Sequence, residues 1–276
     1  MNNDNMTPEF AWFLGYLFSD GSVKDSSGDG IFNFLCKYDD RELMYKVKEI
    51  LQSKNTVHEH PEYNRPRAQL RVSDKKELWQ QYQNIKTVIP VQDIKGYERH
   101  FIRGAWDGDG TLSIRKRYET FRMSFTDDIP GTAQWIADHL TNTLDLNHKE
   151  ARWSPQNNTY EIQWEGITAR LIAWYLYHGN INHCSLSRKL QRYKDFILHN
   201  QVFTEPWQEM LYSVKGYIDF SGEIAFSLPG LQTLEWCQRL QKLLPFNTVP
   251  VFHNKGKRKY YHLYIPQHTI NTQDLN

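Results

Sequence analysis

The sequence predicts an α+β protein built from two tandem units of helix, two strands, helix, two strands and helix (αββαββα), followed by a smaller, degenerate third unit. The first observation is a nine-residue segment that recurs: Phe13-Leu14-Gly15-Tyr16-Leu17-Phe18-Ser19-Asp20-Gly21, then Ile102-Arg103-Gly104-Ala105-Trp106-Asp107-Gly108-Asp109-Gly110, and more weakly Val214-Lys215-Gly216-Tyr217-Ile218-Asp219-Phe220-Ser221-Gly222. The second is the polarity of the residues immediately after each copy. Ser22-Val23-Lys24, Thr111-Leu112-Ser113-Ile114-Arg115 and Glu223-Ile224-Ala225-Phe226 alternate in polarity, so each segment reads as helix, glycine stop, strand. The third is that the elements beyond the first copy recur in the same order beyond the second.

After the first segment, Ile31 to Tyr38 reads as a strand and Asp40 to Gln52 as an amphipathic helix. Asn55 to His60 and Arg67 to Val72 read as strands, and Lys75 to Tyr82 as a short helix. After the second segment come strands Thr111 to Arg117 and Thr120 to Thr126, helix Gly131 to Leu144, strands His148 to Trp153 and Tyr160 to Trp164, and a helix around Thr168 to Tyr177. The third copy is one strand shorter, with strand Glu223 to Leu228, helix Leu231 to Leu244, and strands Thr248 to Asn254 and Lys259 to Ile265. Turn formers and polar residues at Pro90 to Tyr97 and Asn200 to Pro206 mark the joints. The expected units are therefore residues 7–95, 96–200 and 203–276.

Composition narrows the function classes. A chain of 276 residues with 39% hydrophobic and 14% aromatic content can bury a sizeable core and is not a disordered tail. Its longest strongly apolar run, Phe10 to Phe18, is about half the length a membrane helix needs, so no membrane association is expected. The polar start MNNDNMTPEF lacks the features of a secretory signal. The expected location is cytoplasmic and nucleoid-associated, in a bacterium or a phage-infected cell, or an organelle matrix. Cys36, Cys184 and Cys237 show no CxxC spacing, which argues for reduced core residues rather than disulfides or a zinc ribbon. A net charge of +1 leaves nucleic-acid binding to local clusters.

Residues four apart on a helix lie one above the other, so Gly15 with Ser19, and Gly104 with Gly108, form two narrow strips of small side chains. Two helices packed along such strips approach closely and bring their C-terminal ends together. Those ends carry Asp20 and Asp109. Asp-Gly is also a common turn dipeptide, but its recurrence in the same helix-to-strand context favours a paired carboxylate site. Two neighbouring carboxylates repel, and a divalent cation relieves them; an all-oxygen set suits Mg²⁺ rather than zinc. Mg²⁺ in turn points to metal-assisted phosphodiester hydrolysis.

At these residues the chain resembles the LAGLIDADG homing endonucleases, whose nine-residue signature matches segments one and two with its eighth-position acid at Asp20 and Asp109. The resemblance covers residues 7 to about 200 and includes Phe101-Ile102-Arg103-Gly104 and the stretch from Leu176-Tyr177 to Arg188-Lys189. It implies a single-chain pseudo-dimer with the signature helices at its centre and a four-stranded sheet from each half forming a saddle on DNA. It implies double-strand cleavage across the minor groove, leaving short 3′ overhangs. The implied cofactor is Mg²⁺ (or Mn²⁺), held by Asp20 and Asp109 with Gly21 and Gly110 beside them. Lys86 and Lys189 stand where the family carries basic catalytic helpers and are candidates to stabilise the pentavalent phosphate, with exposed surface lysine as the plain alternative. Gln69 or Gln163 is a weaker candidate for water activation. Phe18 departs from the family at position six, where an acid is common, but that position is not the metal ligand and little harm is expected. In segment three, Phe220 and Ser221 replace the small residue and the acid, so that copy is expected to be non-catalytic: a degenerate half-copy or an unrelated module.

For DNA readout the candidates are Lys24, Arg65, Arg67 and Arg71 in the first half. In the second they are Arg115, Lys116, Arg117, Tyr118, Arg122 and Arg152, with Gln156, Asn157 and Asn158. Arg suits guanine, and Asn or Gln suits adenine; a solvated strand face is the plain alternative. Lys255, Lys257, Arg258 and Lys259 offer either phosphate contacts or solubilising charge. His58-Glu59-His60 places two histidines on one strand face without a third ligand, and surface or groove-lining roles are favoured over metal. Trp12, Trp106 and Trp135 read as core.

The expected partner is double-stranded DNA with a long pseudo-palindromic or asymmetric target, bound by a monomer. The alternative is the same scaffold used without cleavage, as an RNA maturase or a DNA-binding regulator. An intein reading fails at both ends, since Met1 stands where Cys or Ser would and Leu275-Asn276 lacks the preceding histidine.

Overall fold

The computed structural model describes residues 6–24, 30–115, 120–179, 181–203, 205–214, 217–218, 223–225, 232–245, 248–255 and 258–264. The first unit contains α1 (Pro8–Ser19), β1 (Ser22–Lys24), β2 (Ile31–Lys37), α2 (Glu42–Leu51), β3 (Val57–His60), β4 (Arg67–Val72) and α3 (Lys76–Tyr82). The second contains α4 (Glu98–Asp109), β5 (Gly110–Arg115), β6 (Thr120–Asp127), α5 (Pro130–Leu144), β7 (Arg152–Ser154), β8 (Thr159–Glu165), α6 (Gly166–Tyr177) and α7 (Ser187–Tyr193). Beyond them lie α8 (Pro206–Ser213), β9 (Tyr217–Ile218), β10 (Glu223–Ala225), α9 (Gln232–Leu243), β11 (Val249–Lys255) and β12 (Arg258–Tyr264).

Local chemistry sets the boundaries. The Thr7 hydroxyl caps α1 by accepting from the Phe10 amide at 3.1 Å, and Pro8 opens the helix with a φ already suited to it. Residues from Ala11 to Phe18 are all buried, as expected of a helix that is apolar all round and runs through a core. The strands alternate: Phe121, Met123, Phe125 and Asp127 of β6 point inward while their neighbours do not.

Two four-stranded antiparallel sheets have the orders β1-β2-β4-β3 and β5-β6-β8-β7. The registers define equivalent positions. Ser22, two residues past Asp20, pairs with Asn33, and Thr111, two past Asp109, pairs with Ser124. Three residues further along, Cys36 in β2 therefore corresponds to Asp127 in β6.

Three details differ from the sequence reading. The strand expected over His148 to Trp153 is only Arg152–Ser154. Upstream of it the Gln134 side chain binds the Lys149 carbonyl at 3.2 Å and the Ala151 amide at 2.9 Å, taking backbone groups that a strand partner would otherwise use. The segment expected as a third motif helix contains a strand instead. Helix α8 ends before it, and Tyr217 and Ile218, an aromatic and a β-branched residue, pair with Ala225 and Ile224. The strand thought to be missing thus lies inside that segment, and the third sheet, β9-β10-β12-β11, has the same order as the other two. Phe220 and Ser221 lie outside the described residues.

This third module is docked on the second unit. Arg170 donates to the Ser213 carbonyl at 2.5 Å, Trp174 to the Pro206 carbonyl at 3.0 Å, and Tyr193 to Glu209 at 2.7 Å. At α9, Arg239 reaches Asn147 at 2.6 Å and Lys242 reaches Asp145 at 2.6 Å.

Candidate functional site

Helices α1 and α4 pack with their backbones in contact, and three small residues permit it. A Cβ on Gly15 would collide with the Phe101 carbonyl oxygen and lie 2.8 Å from the Ala105 nitrogen. One on Gly104 would collide with the Trp12 carbonyl oxygen and lie 2.8 Å from the Tyr16 nitrogen, and one on Gly108 would strike the Ser19 side chain. The seam therefore runs to the C-terminal ends of both helices, and Asp20 and Asp109 sit there.

A helix C-terminus is the negative end of the helix dipole, so two carboxylates at two converging ends are placed against their electrostatic preference. Burial raises the Asp109 carboxyl to about 6, with repulsion from Asp20 adding to it and Lys86 and Lys189 opposing it. Asp20 reaches solvent, yet desolvation still raises it, countered by Lys189, Lys86 and Arg188.

The two lysines answer both problems. Lys86, in the turn beyond α3, donates to the carbonyls of Phe18 and Ser19, the second at 2.6 Å. Lys189 on α7 donates to the Trp106 carbonyl at 2.5 Å and the Asp107 carbonyl at 2.8 Å. Each caps the last carbonyls of one motif helix while lending positive charge to the acids. Lys189 is only 2% exposed, and burial holds its ammonium down to about 8. Burial also lowers Lys86, against the pull of Asp109, Asp127, Asp128 and Asp20.

The donor chemistry fits a hard divalent cation. Asp20 and Asp109 would offer oxygen donors only, and the desolvation that raises both carboxyls is what a bound cation would offset. Among the described residues no three His, Cys, Asp or Glu side chains converge for a metal. A site of two acids would leave other positions to water and phosphate, the habit of Mg²⁺. The same absence covers His58-Glu59-His60. The register places His58 and His60 opposite Gln69 and Arg67, while Glu59 turns away to Tyr45.

Two acids near the site were not singled out in the sequence. Asp107, 1% exposed, accepts at its carboxylate from Trp12, Tyr177 and the Leu186 amide. Asp127, at the end of β6, is pushed up to about 7 by burial, with Asp128 and Asp109 adding repulsion. An Asp-Asp pair ending a strand was the available signal.

The two sheet faces differ in charge. In the first half, Arg67 and Arg71 are exposed on either side of Gln69, which donates to Asn33 at 2.6 Å. Lys24 is exposed at the end of β1, and Arg65 in the turn before β4. In the second half, Arg152 is exposed, but Arg122 is held by Gln163 and by Glu161 at 3.5 Å, and Gln163 donates to Glu165 at 2.8 Å. Gln69 and Gln163 thus sit within side-chain networks on the sheets. Lys116, Arg117 and Tyr118 lie outside the described residues, as does the Arg115 side chain. The same holds for the side chains of Lys255, Arg258 and Lys259.

No family model and no curated protein matches the chain. Solved structures similar to it include the LAGLIDADG meganuclease I-CpaMI bound to uncleaved DNA, at 13% identity and a TM-score of 0.42, covering 76% of this chain and 99% of that one. The homing endonuclease I-DmoI in complex with DNA and Mn is similar at 16% identity and a TM-score of 0.43, covering 62% and 98%. The LAGLIDADG homing endonuclease I-LtrWI bound to target DNA is similar at 10% identity and a TM-score of 0.44, covering 75% and 97%.

Proposed function

We propose that the protein is a site-specific double-stranded DNA endonuclease of the LAGLIDADG homing type, dependent on Mg²⁺ or Mn²⁺ and acting as a monomer. One observation carries the reading: two like halves bring one motif carboxylate and one lysine each to the same end of a close-packed helix seam. A protein that only binds nucleic acid gains nothing from two mutually repelling acids at that point.

When bound, the cation supplies Lewis-acid charge for displacement at phosphorus. Asp20 and Asp109 would hold it. Lys86 and Lys189, their ammonium groups fixed by helix carbonyls, place positive charge where the phosphate gains negative charge in the transition state. Preorganisation would make that charge effective, because the helix carbonyls already hold both ammonium groups in place. The sheet faces carry the DNA, with Arg67, Arg71 and Gln69 in one half and Arg152 and Arg122 in the other as readout candidates.

The test uses the DNA flanking the protein's own gene, joined as it would be without the insertion, incubated with the full chain in Mg²⁺ and in EDTA. Discrete Mg²⁺-dependent double-strand cuts, lost in Asp20→Asn and in Asp109→Asn, are expected. Binding without cutting, unchanged by either substitution, overturns the reading.

A further inference from the structure

Asp107 occupies position six of the second motif, and its buried carboxylate joins three elements. Its Oδ2 accepts from the Trp12 indole of α1 at 2.9 Å and from the Leu186 amide at 2.8 Å, and its Oδ1 accepts from the Tyr177 hydroxyl of α6 at 2.9 Å. Leu186 immediately precedes α7, the helix that carries Lys189. Lys189 returns to α4 by donating to the Trp106 and Asp107 carbonyls. The result is a closed loop: α4 side chain to α7 start, then α7 side chain to α4 backbone.

The first half grips the same segment from the other side. Glu42 accepts from the Ser187 amide at 2.8 Å, Asp40 from Arg188 at 2.8 and 3.0 Å, and the Ser185 carbonyl accepts from Lys46 at 2.6 Å. Two carboxylates thus satisfy successive amides at the start of α7, where the helix dipole favours negative charge. Among the described residues nothing comparable holds Lys86. Position six of the first motif is Phe18, whose ring lies 5.8 Å from the Lys86 ammonium and 5.9 Å from the Phe101 ring.

We propose that Asp107 is a positioning residue that fixes the start of α7 and thereby holds Lys189 at the active site, so that the two strand-cleavage steps depend unequally on position six. The inference rests on the endonuclease reading. A carboxylate that merely stabilised the fold would slow both strands alike when removed; a latch on one lysine slows one strand.

The experiment tracks both strands of the cleaved junction duplex, each carrying its own label, under single turnover in Mg²⁺. In Asp107→Ala one strand is expected to slow by about tenfold or more, the scale for displacing a catalytic group by a fraction of an ångström, and the other by less than about threefold, so that nicked DNA accumulates. Asp107→Asn keeps an oxygen for the Leu186 amide, while its NH₂ can face the Tyr177 hydroxyl as acceptor, and it should restore both rates. Leu140→Ala, a core truncation on α5, serves as the stability control and should not bias the strands. If Asp107→Ala fails to fold, Glu42→Ala, on the other grip, is expected to slow the same strand. Equal slowing of both strands, or of neither, overturns the proposal.

A second readout does not depend on cleavage. Acylation of Lys189 by an amine-reactive ester, followed by mass spectrometry, should be slow in the wild type, at least about tenfold faster in Asp107→Ala, and slow again in Asp107→Asn. Unchanged Lys189 reactivity in Asp107→Ala overturns the latch even if the duplex is never cut, whereas altered reactivity with no cutting by the wild type removes the endonuclease reading and with it the proposed role.

Discussion

Replacing Gly104 by alanine tests whether the seam needs its small residues. Taken alone, the change removes a glycine from a helix interior and should gain about 1 kcal/mol in helix propensity. The opposing term is steric. The new methyl would collide with the Trp12 carbonyl oxygen and lie 2.8 Å from the Tyr16 nitrogen and 2.9 Å from the Trp12 carbonyl carbon. These are backbone atoms of a buried helix, so no rotamer change can relieve the overlap, and α1 must move away by roughly 1 Å. Overpacking of this kind destabilises by about 1–3 kcal/mol, and with backbone on both sides the upper end applies. A net loss of about 2 kcal/mol after the propensity gain is expected in urea unfolding. The same displacement separates Asp20 from Asp109, and a shift of that size lowers a catalytic rate by about 100-fold. Gly131→Ala is the control, because a methyl there meets nothing within 4 Å; it should be neutral or stabilising by a few tenths of a kcal/mol. A Gly104→Ala protein within about 0.5 kcal/mol of wild type, or one that cuts at the wild-type rate, refutes the packing argument.

Asp127→Asn should stabilise the protein increasingly as pH rises. The folded carboxyl is raised from 3.8 to about 7, so its favourable contribution is present at low pH and lost as pH rises through 7. The variant's advantage, roughly 1 to 3 kcal/mol, should appear between those values in chemical denaturation and be absent at about pH 3.5. Millimolar Mg²⁺ should raise the wild-type melting temperature, by mass action on the folded state, and should have no such effect on Asp20→Asn in differential scanning fluorimetry. Arg170→Ala should release α8, since the Ser213 and Ile197 carbonyls lose a buried donor; roughly 3 kcal/mol of local stability should be lost, with faster proteolysis near residues 200–206. Ser221→Ala should leave the cleavage rate unchanged in the duplex assay, because the third segment lacks an acid at that position.

The parts of the fold read directly from the sequence were those governed by local pattern. The helix, glycine and strand signals around Gly15 to Gly21 and Gly104 to Gly110 depend only on near neighbours, and the recurrence of the whole block supplied the two sheets. What escaped the reading depends on distant partners. Asp107 looked like one more polar residue in a helix because its donors Trp12, Leu186 and Tyr177 lie 95, 79 and 70 residues away. Arg122 counted as a groove-facing cation until the pairing of β6 with β8 let its side chain reach Gln163 and Glu161 along β8. The shortening of β7 came from Gln134, a side chain on another element, and the placement of β9 from pairing with β10 rather than from its own glycine pattern.

The sheet registers also show how the two halves differ. Arg71 pairs with Asn33 and Gln69 with Leu35, whereas Gln163 pairs with Ser124 and Glu161 with Thr126. With Asn33 equivalent to Ser124, Gln163 stands in the place of Arg71 and Glu161 in that of Gln69. One face therefore offers a cation and two amide side chains where the other offers a hydroxyl, an amide and a carboxylate that already engages Arg122. Asp107 against Phe18 and Asp127 against Cys36 continue the same asymmetry into the centre. A symmetric dimer would have to make each such change twice; a single chain can make it once. Under the proposed reading, the half that lacks exposed arginine on its central strands binds its DNA half-site with fewer guanine-type contacts. Under the proposed latch, the half that holds Asp107 would also fix its lysine more firmly, so that recognition and cleavage would both be unequal between the halves.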